Sequence, residues 1–199
     1  MRCFNCNRLS LEVICKDCME SFLRPEINRK TIDDLEVISF FDYYSIVDII
    51  TTKYSNSGYR VYKFLAKKYF NPFLKEYTKN LTDNKKIYLI GINEDIKRGY
   101  SAISILKRYG AKGVKNLKPL HNSLKAKNKV TYAGKSLKFR LNNPRNFIYK
   151  GPKNIDAILI DDTITTGTTL KEAFNVLKDY NVNVHFALTI AVAKDGLDY

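Results

Sequence analysis

The sequence predicts an α/β fold, a mostly parallel sheet flanked by helices, behind a small cysteine-rich N-terminal module. Three observations predict it. Short, nearly apolar runs at residues 37–41, 87–92, 155–160 and 186–193 have the length and β-branching of buried strands. Segments of helical periodicity separate them, and strands alternating with helices build parallel sheets. All four cysteines fall in the first eighteen residues, outside that alternation.

The cysteines, Cys3, Cys6, Cys15 and Cys18, follow the pattern C-x2-C-x8-C-x2-C. Two such pairs suit a tetrahedral zinc site, because each pair is a tight knuckle offering two thiolates at about 2.3 Å from one metal. A disulfide framework needs an oxidising compartment, and the N-terminal residues have neither the apolar core nor the cleavage site of a signal peptide. A redox CxxC starts a helix inside a βαβ unit and does not come as a symmetric pair. Zinc is the reading, in a closed structural site with no place for a reactive water. Residues 1–24 are too few to bury a core, so the metal supplies the module's folding energy. Arg24, Pro25, Glu26 and the polar stretch to Lys30 read as a linker into an α/β domain over residues 31–199.

Within that domain residues 35–41 read as a strand. Residues 43–54 and 59–77 read as helices, carrying Ile46, Ile49 and Ile50, then Tyr62, Leu65, Ala66 and Tyr69, at helical spacing. Asn71-Pro72 interrupts or kinks the second. A buried strand at 87–92 precedes an amphipathic helix at 96–109. Residues 110–152, rich in Gly, Asn and Lys, read as short elements with long loops. A strand at 155–160, a helix at 168–180 with Leu170, Ala173, Phe174 and Leu177 inward, and a strand at 182–193 complete the fold. No internal repeat is present, and no apolar run approaches the ~20 residues that span a bilayer. A soluble, non-secreted protein is expected.

The net charge of +14 is localised. Between Asp95 and Asp156 there is no acidic residue, and those 60 residues hold 16 of the 34 Lys and Arg. A coding bias toward Lys would enrich Asp and Glu at random as well, so the segment reads as a surface facing a polyanion. Its candidate contacts are Lys107, Arg108, Lys125, Lys127, Lys129, Lys135, Arg140 and Arg145. Single-strand binders join such cations to aromatic faces. Tyr100, Tyr109, Tyr132, Phe139, Phe147 and Tyr149 lie among them, each individually expected to be packed rather than stacked on a base.

The most specific segment follows the 155–160 strand. Two adjacent carboxylates, Asp161 and Asp162, lead into a Thr/Gly loop, Thr165, Thr166, Gly167, Thr168 and Thr169, that opens a helix. Helix-start N–H groups, hydroxyls and a Gly that admits close backbone approach make a phosphate cradle, and open α/β sheets bind ligands at the carboxyl ends of their strands. Carboxylates beside that cradle suit ribose hydroxyls, directly or through Mg²⁺. Ala133-Gly134-Lys135-Ser136 ends like a Walker A motif, but Lys129 stands where its first Gly belongs. His121 and His185 have no partner at metal or triad spacing and take structural roles.

The 157–170 stretch resembles the phosphoribosyl pyrophosphate (PRPP) signature of type I phosphoribosyltransferases, with Thr163 where an aliphatic residue is commoner. The resemblance implies a type I phosphoribosyltransferase-like sheet, with Asp161 and Asp162 on the ribose hydroxyls and Thr165 through Thr169 on the 5′-phosphate. The loop after the 87–92 strand is then the pyrophosphate side, with Lys97 and Arg98 as its cations. A four-Cys module ahead of such a domain is similar to the ComF family of competence proteins. Lys53-Tyr54, the Arg98-Gly99-Tyr100-Ser101 run that is similar to the family's RGFNQ, and Arg140 followed by Asn143 extend the resemblance over nearly the whole chain. The chain departs from the family at Ile90–Asn93, where VPLP is usual, and at Ala102, where Gln is common.

The family implies a cytoplasmic factor at the inner face of the membrane, working with a helicase-like partner and the inner-membrane DNA channel. The main expectation is therefore a competence factor that binds single-stranded DNA and carries a PRPP site, with structural zinc, Mg²⁺ accompanying PRPP, and transfer activity open. A nucleobase phosphoribosyltransferase of a salvage pathway is the alternative, and a zinc-ribbon transcription regulator a third class.

Overall fold

A parallel strand buried on both faces needs a continuous apolar run, and Ala-Ile-Leu-Ile at residues 157–160 supplies one. The computed structural model describes residues 1–193 except 82–84, 93–95, 97–98, 129, 131 and 133–135, and the side chain of residue 137. In chain order the elements are α1 (Lys16–Phe22), β1 (Asn28–Ile32), β2 (Leu35–Asp42), α2 (Val47–Thr51), α3 (Gly58–Leu65), α4 (Asn71–Lys79), β3 (Ile87–Gly91), α5 (Ala102–Gly110), β4 (Leu117–Leu120) and β5 (Leu124–Ala126). They continue with α6 (Leu137–Asn142), β6 (Phe147–Tyr149), β7 (Asp156–Ile160), the short β8 (Thr163–Ile164), α7 (Thr168–Lys178) and β9 (Asn183–Val192).

The main sheet runs β1-β2-β9-β7-β3-β4, with β8 added beside β9. Every pairing in it is parallel except β1 on β2. Alternation along the central strands divides the core between the two faces. Ile158 and Ile160 of β7 pack with Phe40, Phe70 and Leu74 on one side, while Ala157 and Leu159 pack with Leu170, Phe174 and Leu177 on the other. Two hydroxyls inside the sheet satisfy each other across β2 and β9, Ser39 Oγ lying 2.6 Å from Thr189 Oγ1.

The cysteine module is seated on the first face. Cys3, Ile14, Cys18 and Leu23 share the apolar cluster of Phe40 and Phe41, and the Tyr69 hydroxyl donates to Leu23 O at 2.7 Å.

Several sequence expectations are corrected. The stretch read as a linker runs from Asn28 into β1, whose half-buried residues alternate with exposed ones as on an edge strand. The 43–54 helix is α2 between two 3-10 turns, Tyr44–Ile46 and Thr52–Tyr54. The 59–77 helix is α3 and α4 joined by a π turn, Ala66–Phe70, directly before the Asn71-Pro72 step. Proline has no N–H to continue the ladder, which is why the break falls there. The helix expected from residue 96 begins only at Ala102, where Ser101 caps it by accepting from Ser104 N at 3.2 Å. Among the described residues, no helix is long and apolar enough to cross a membrane.

Candidate functional site

The four cysteines come together as their spacing predicts. Their sulfurs all lie within 4.8 Å of one another, with Cys6 Sγ and Cys15 Sγ 3.6 Å apart. A tetrahedron with Zn–S bonds of about 2.3 Å has S···S edges of about 3.8 Å, so the donor set fits zinc. Two sulfurs receive hydrogen bonds that orient them, from Cys15 N to Cys3 Sγ at 3.2 Å and from Asn5 Nδ2 to Cys18 Sγ at 3.4 Å. Because the module shares the core of the main domain, Cys15→Ser should lower both metal content and the stability of the chain. Zinc analysis beside a thermal melt checks this; wild-type protein with no bound metal after reducing purification would contradict it.

The second site stands at the carboxyl ends of the parallel strands, where β7 hands over to α7. Asp161 and Asp162 follow β7 directly, β8 carries Thr163, and Thr165 and Thr166 lead to Gly167. Gly167 caps α7 in the left-handed region at φ 80°, and a Cβ there would meet Ile32 Cδ1 at 2.1 Å. Only glycine fits without strain. The helix start with its free N–H groups and the hydroxyls of Thr166 and Thr168, 2.9 Å apart, form an anion cradle.

This loop lines a cavity of about 800 Å³, shared with Lys53, Tyr54, Tyr132, Arg140 and Arg145. The Lys53 ammonium meets Asp162 Oδ2 at 2.5 Å, and Asp162 itself is 8% exposed. Burial alone would lower the pKa of Lys53, but the Asp162 carboxylate more than offsets it and holds the ammonium above its ordinary range. Asp161 goes the other way. Burial pushes its carboxyl well above the usual carboxylate range and the Asp162 charge adds to this, while the Asp162 N–H donated to Asp161 Oδ1 at 2.8 Å opposes it. The Tyr62 hydroxyl, 3.0 Å from Ile50 O and 3.5 Å from Asp162 Oδ2, is raised by burial and by the same charge.

The sequence places these groups unevenly. Arg140 does not lie in an open cationic groove: it donates to Thr165 Oγ1 and, at 3.2 Å, to Tyr132 O. Arg145 stacks 4.6 Å from the Tyr132 ring centroid. Lys107 is a correction: it is 0% exposed, with Nζ donating to Leu120 O at 2.7 Å, so it presents no charge to a polyanion. Arg108, Lys125 and Lys127 are exposed. Lys97, Arg98, Lys129 and Lys135 lie outside the described residues. Tyr132, Phe147 and Tyr149 are buried as expected of packed aromatics. Sequence reasoning missed the pairing of Lys53 with Asp162 and the part of Tyr100, whose hydroxyl lies 2.9 Å from Ser55 O and 3.2 Å from Thr52 O and Lys53 O. Their one signal was motif likeness at Lys53-Tyr54 and at Tyr100.

No family model matches the chain. A uracil phosphoribosyltransferase of Ureaplasma urealyticum is 37% identical over 59 residues, so the match spans 28% of this chain and 28% of that relative's length. Among solved structures the chain is similar to adenine phosphoribosyltransferase of Saccharomyces cerevisiae, at 15% identity and TM-score 0.43 over 87% of this chain and 86% of that one. Hypoxanthine phosphoribosyltransferase of Staphylococcus aureus gives 17% and 0.41 over 69% and 68%. Orotate phosphoribosyltransferase of Francisella tularensis gives 14% and 0.40 over 86% and 67%.

Proposed function

We propose that the chain binds a ribose 5-phosphate ester of the PRPP kind at the 161–169 loop and transfers its phosphoribosyl group to a nucleobase. The observation that carries this is the left-handed Gly167 opening α7 beside a raised, underserved Asp161 in one cavity. The loop's N–H groups and Thr hydroxyls hold the 5′-phosphate, and Asp161 accepts from the ribose hydroxyls. Arg140 and Arg145 add positive charge to the cavity wall for the anionic parts of the ligand. In the transfer the C1–O bond to pyrophosphate breaks, the electron pair leaves with pyrophosphate, and a base nitrogen closes on C1 and releases its proton. Oxocarbenium character develops between the two, and fixed geometry in the cavity lowers that barrier. Pyrophosphate release assayed with uracil, adenine, hypoxanthine and orotate tests the activity. PRPP binding without release in any of them would leave a binding protein.

A second reading, single-stranded DNA binding in a ComF-like competence role in the cytoplasm, beside a helicase-like partner and membrane channel, is favoured by the acid-free segment and by exposed Arg108, Lys118, Lys125 and Lys127. Each neutralised phosphate contributes about −0.7 to the slope of log affinity against log salt. Charge reversal at Lys125 and Lys127 should flatten that slope by roughly 1–1.5 and leave PRPP binding unchanged. No single-strand binding at moderate salt would contradict this reading alone.

A further inference from the structure

Adjacent carboxylates at a ribose site invite a divalent cation, yet the structure splits the pair. Asp162 is fully engaged: Oδ2 receives Lys53 at 2.5 Å and has the Tyr62 hydroxyl 3.5 Å away, and Oδ1 receives the Thr163 hydroxyl at 3.2 Å. Asp161 uses Oδ1 for the Asp162 N–H, and its Oδ2 has no hydrogen-bond partner among the described residues. The two carboxylates are therefore not equivalent.

Lys53 is built into this position. Its side chain is only 24% exposed. The turn that carries it, Thr52–Tyr54, is pinned by the single Tyr100 hydroxyl proton, which has Ser55 O at 2.9 Å and Thr52 O and Lys53 O at 3.2 Å as acceptors. Gly58 makes the room, since a Cβ there would sit 2.0 Å from that hydroxyl. A divalent ion needs several anionic or neutral oxygens around it, and here an ammonium already holds the Asp162 oxygen and repels a second cation. The pair does not fit Mg²⁺.

We propose that Lys53 is a resident cation that replaces a divalent metal at the acidic pair, so that the ribose of the ligand is held by Asp161 beside Lys53 with no metal on the carboxylates. The ligand's identity rests on the ribose-phosphate reading of the same site; the cation's role does not. Asp162 is then a positioning residue for Lys53 rather than a ribose acceptor.

Mn²⁺ titrated into zinc-loaded protein near neutral pH, followed by electron paramagnetic resonance, probes the pair without any sugar. Wild type should show no Mn²⁺ site below about 1 mM. Lys53→Met should create one at least roughly tenfold tighter, a difference of about 1.4 kcal/mol, and Lys53→Met with Asp161→Asn should abolish it. Lys53→Gln serves if the Met variant fails to fold. Calorimetry with ribose 5-phosphate then compares zinc-loaded protein in buffer free of divalent ions other than the bound zinc with the same buffer plus Mg²⁺. Wild-type affinity should be the same in both within a factor of about three, which is less than 1 kcal/mol. A Mn²⁺ site in wild type as tight as in the variant, or a roughly tenfold loss of wild-type ribose 5-phosphate affinity when Mg²⁺ is left out, overturns the proposal. So does a folded Lys53 variant that gains no Mn²⁺ site. If wild type binds no ribose 5-phosphate in either buffer, the ribose-phosphate reading fails, and the Mn²⁺ arm still decides the role of Lys53.

Discussion

Asp156 and Asp161 bracket the same strand, and their surroundings are opposite. Asp156 opens β7, where its Oδ1 lies 2.9 Å from His185 Nε2 and accepts from Asn183 Nδ2 at 2.6 Å. His185 in turn meets the Tyr77 hydroxyl at 2.6 Å. The His185 hydrogen bond, ahead of the one from Asn183, holds Asp156 below the usual carboxylate range against the effect of burial. Asp161, at the other end, is pushed above that range by burial and by its neighbour's charge. Asp156, with one oxygen holding two side chains of the neighbouring strand, is a joint in the structure. Asp161, raised by burial, keeps one oxygen without a hydrogen-bond partner among the described residues and lines the cavity. The amino end of β7 is thus fastened to its neighbour, and its carboxyl end faces the cavity.

The largest expected effect is on binding. Losing one charged hydrogen bond costs roughly 1.5–3 kcal/mol, so Asp161→Asn should weaken ribose 5-phosphate binding by tenfold or more, whereas Asp156→Asn should not alter it. Calorimetry on both variants decides. Equal losses would erase the contrast between the two ends.

Next in size is Gly167→Ala. A residue with a Cβ in the left-handed region costs roughly 1–2 kcal/mol, and the Ile32 methyl must swing aside. For a chain of this length the melting temperature should fall by about 2–4 °C per kcal/mol, together with a loss of phosphate affinity. An unchanged melt and unchanged affinity would show that the loop does not need its left-handed turn.

The smallest effects are pH-dependent and opposite in sign. A raised carboxyl stabilises the fold only at low pH and loses that contribution as pH rises through its folded value. Asp161→Asn should therefore melt higher than wild type at neutral pH, with the gain vanishing toward the ordinary carboxylate range. A lowered carboxyl contributes stability that is present above its unfolded pKa and lost as pH falls through its folded value. Asp156→Asn should accordingly melt lower at neutral pH, and the deficit should fade in acid. Melts from acid to neutral pH check both; the same sign for the two variants would contradict the account.

The sequence made some of this legible for a physical reason. The four cysteines and the Asp161-to-Thr169 run are contiguous, so their chemistry is written in local spacing. The strands at 35–41, 87–92, 155–160 and 182–193 show because burial on both faces demands mostly apolar runs. β1 was hidden because an edge strand needs only alternation, and Asn28, Arg29 and Lys30 look like a linker. Lys53 and Asp162 are 109 positions apart, and no local pattern announces a pair that long-range packing creates. Charge counting also fails on direction. Lys107, Arg140 and Arg145 belong to one acid-free run, yet one is buried, two line the cavity, and Lys125 and Lys127 face solvent.

Whether the 161–169 loop holds a ribose 5-phosphate is decided by a crystal structure of the zinc-loaded protein with that sugar phosphate. The phosphate is expected on the Thr165-to-Thr169 N–H and hydroxyl groups, the ribose hydroxyls on Asp161, and Lys53 still on Asp162. A sugar phosphate bound elsewhere on the molecule, with the Gly167 turn empty, would contradict that reading.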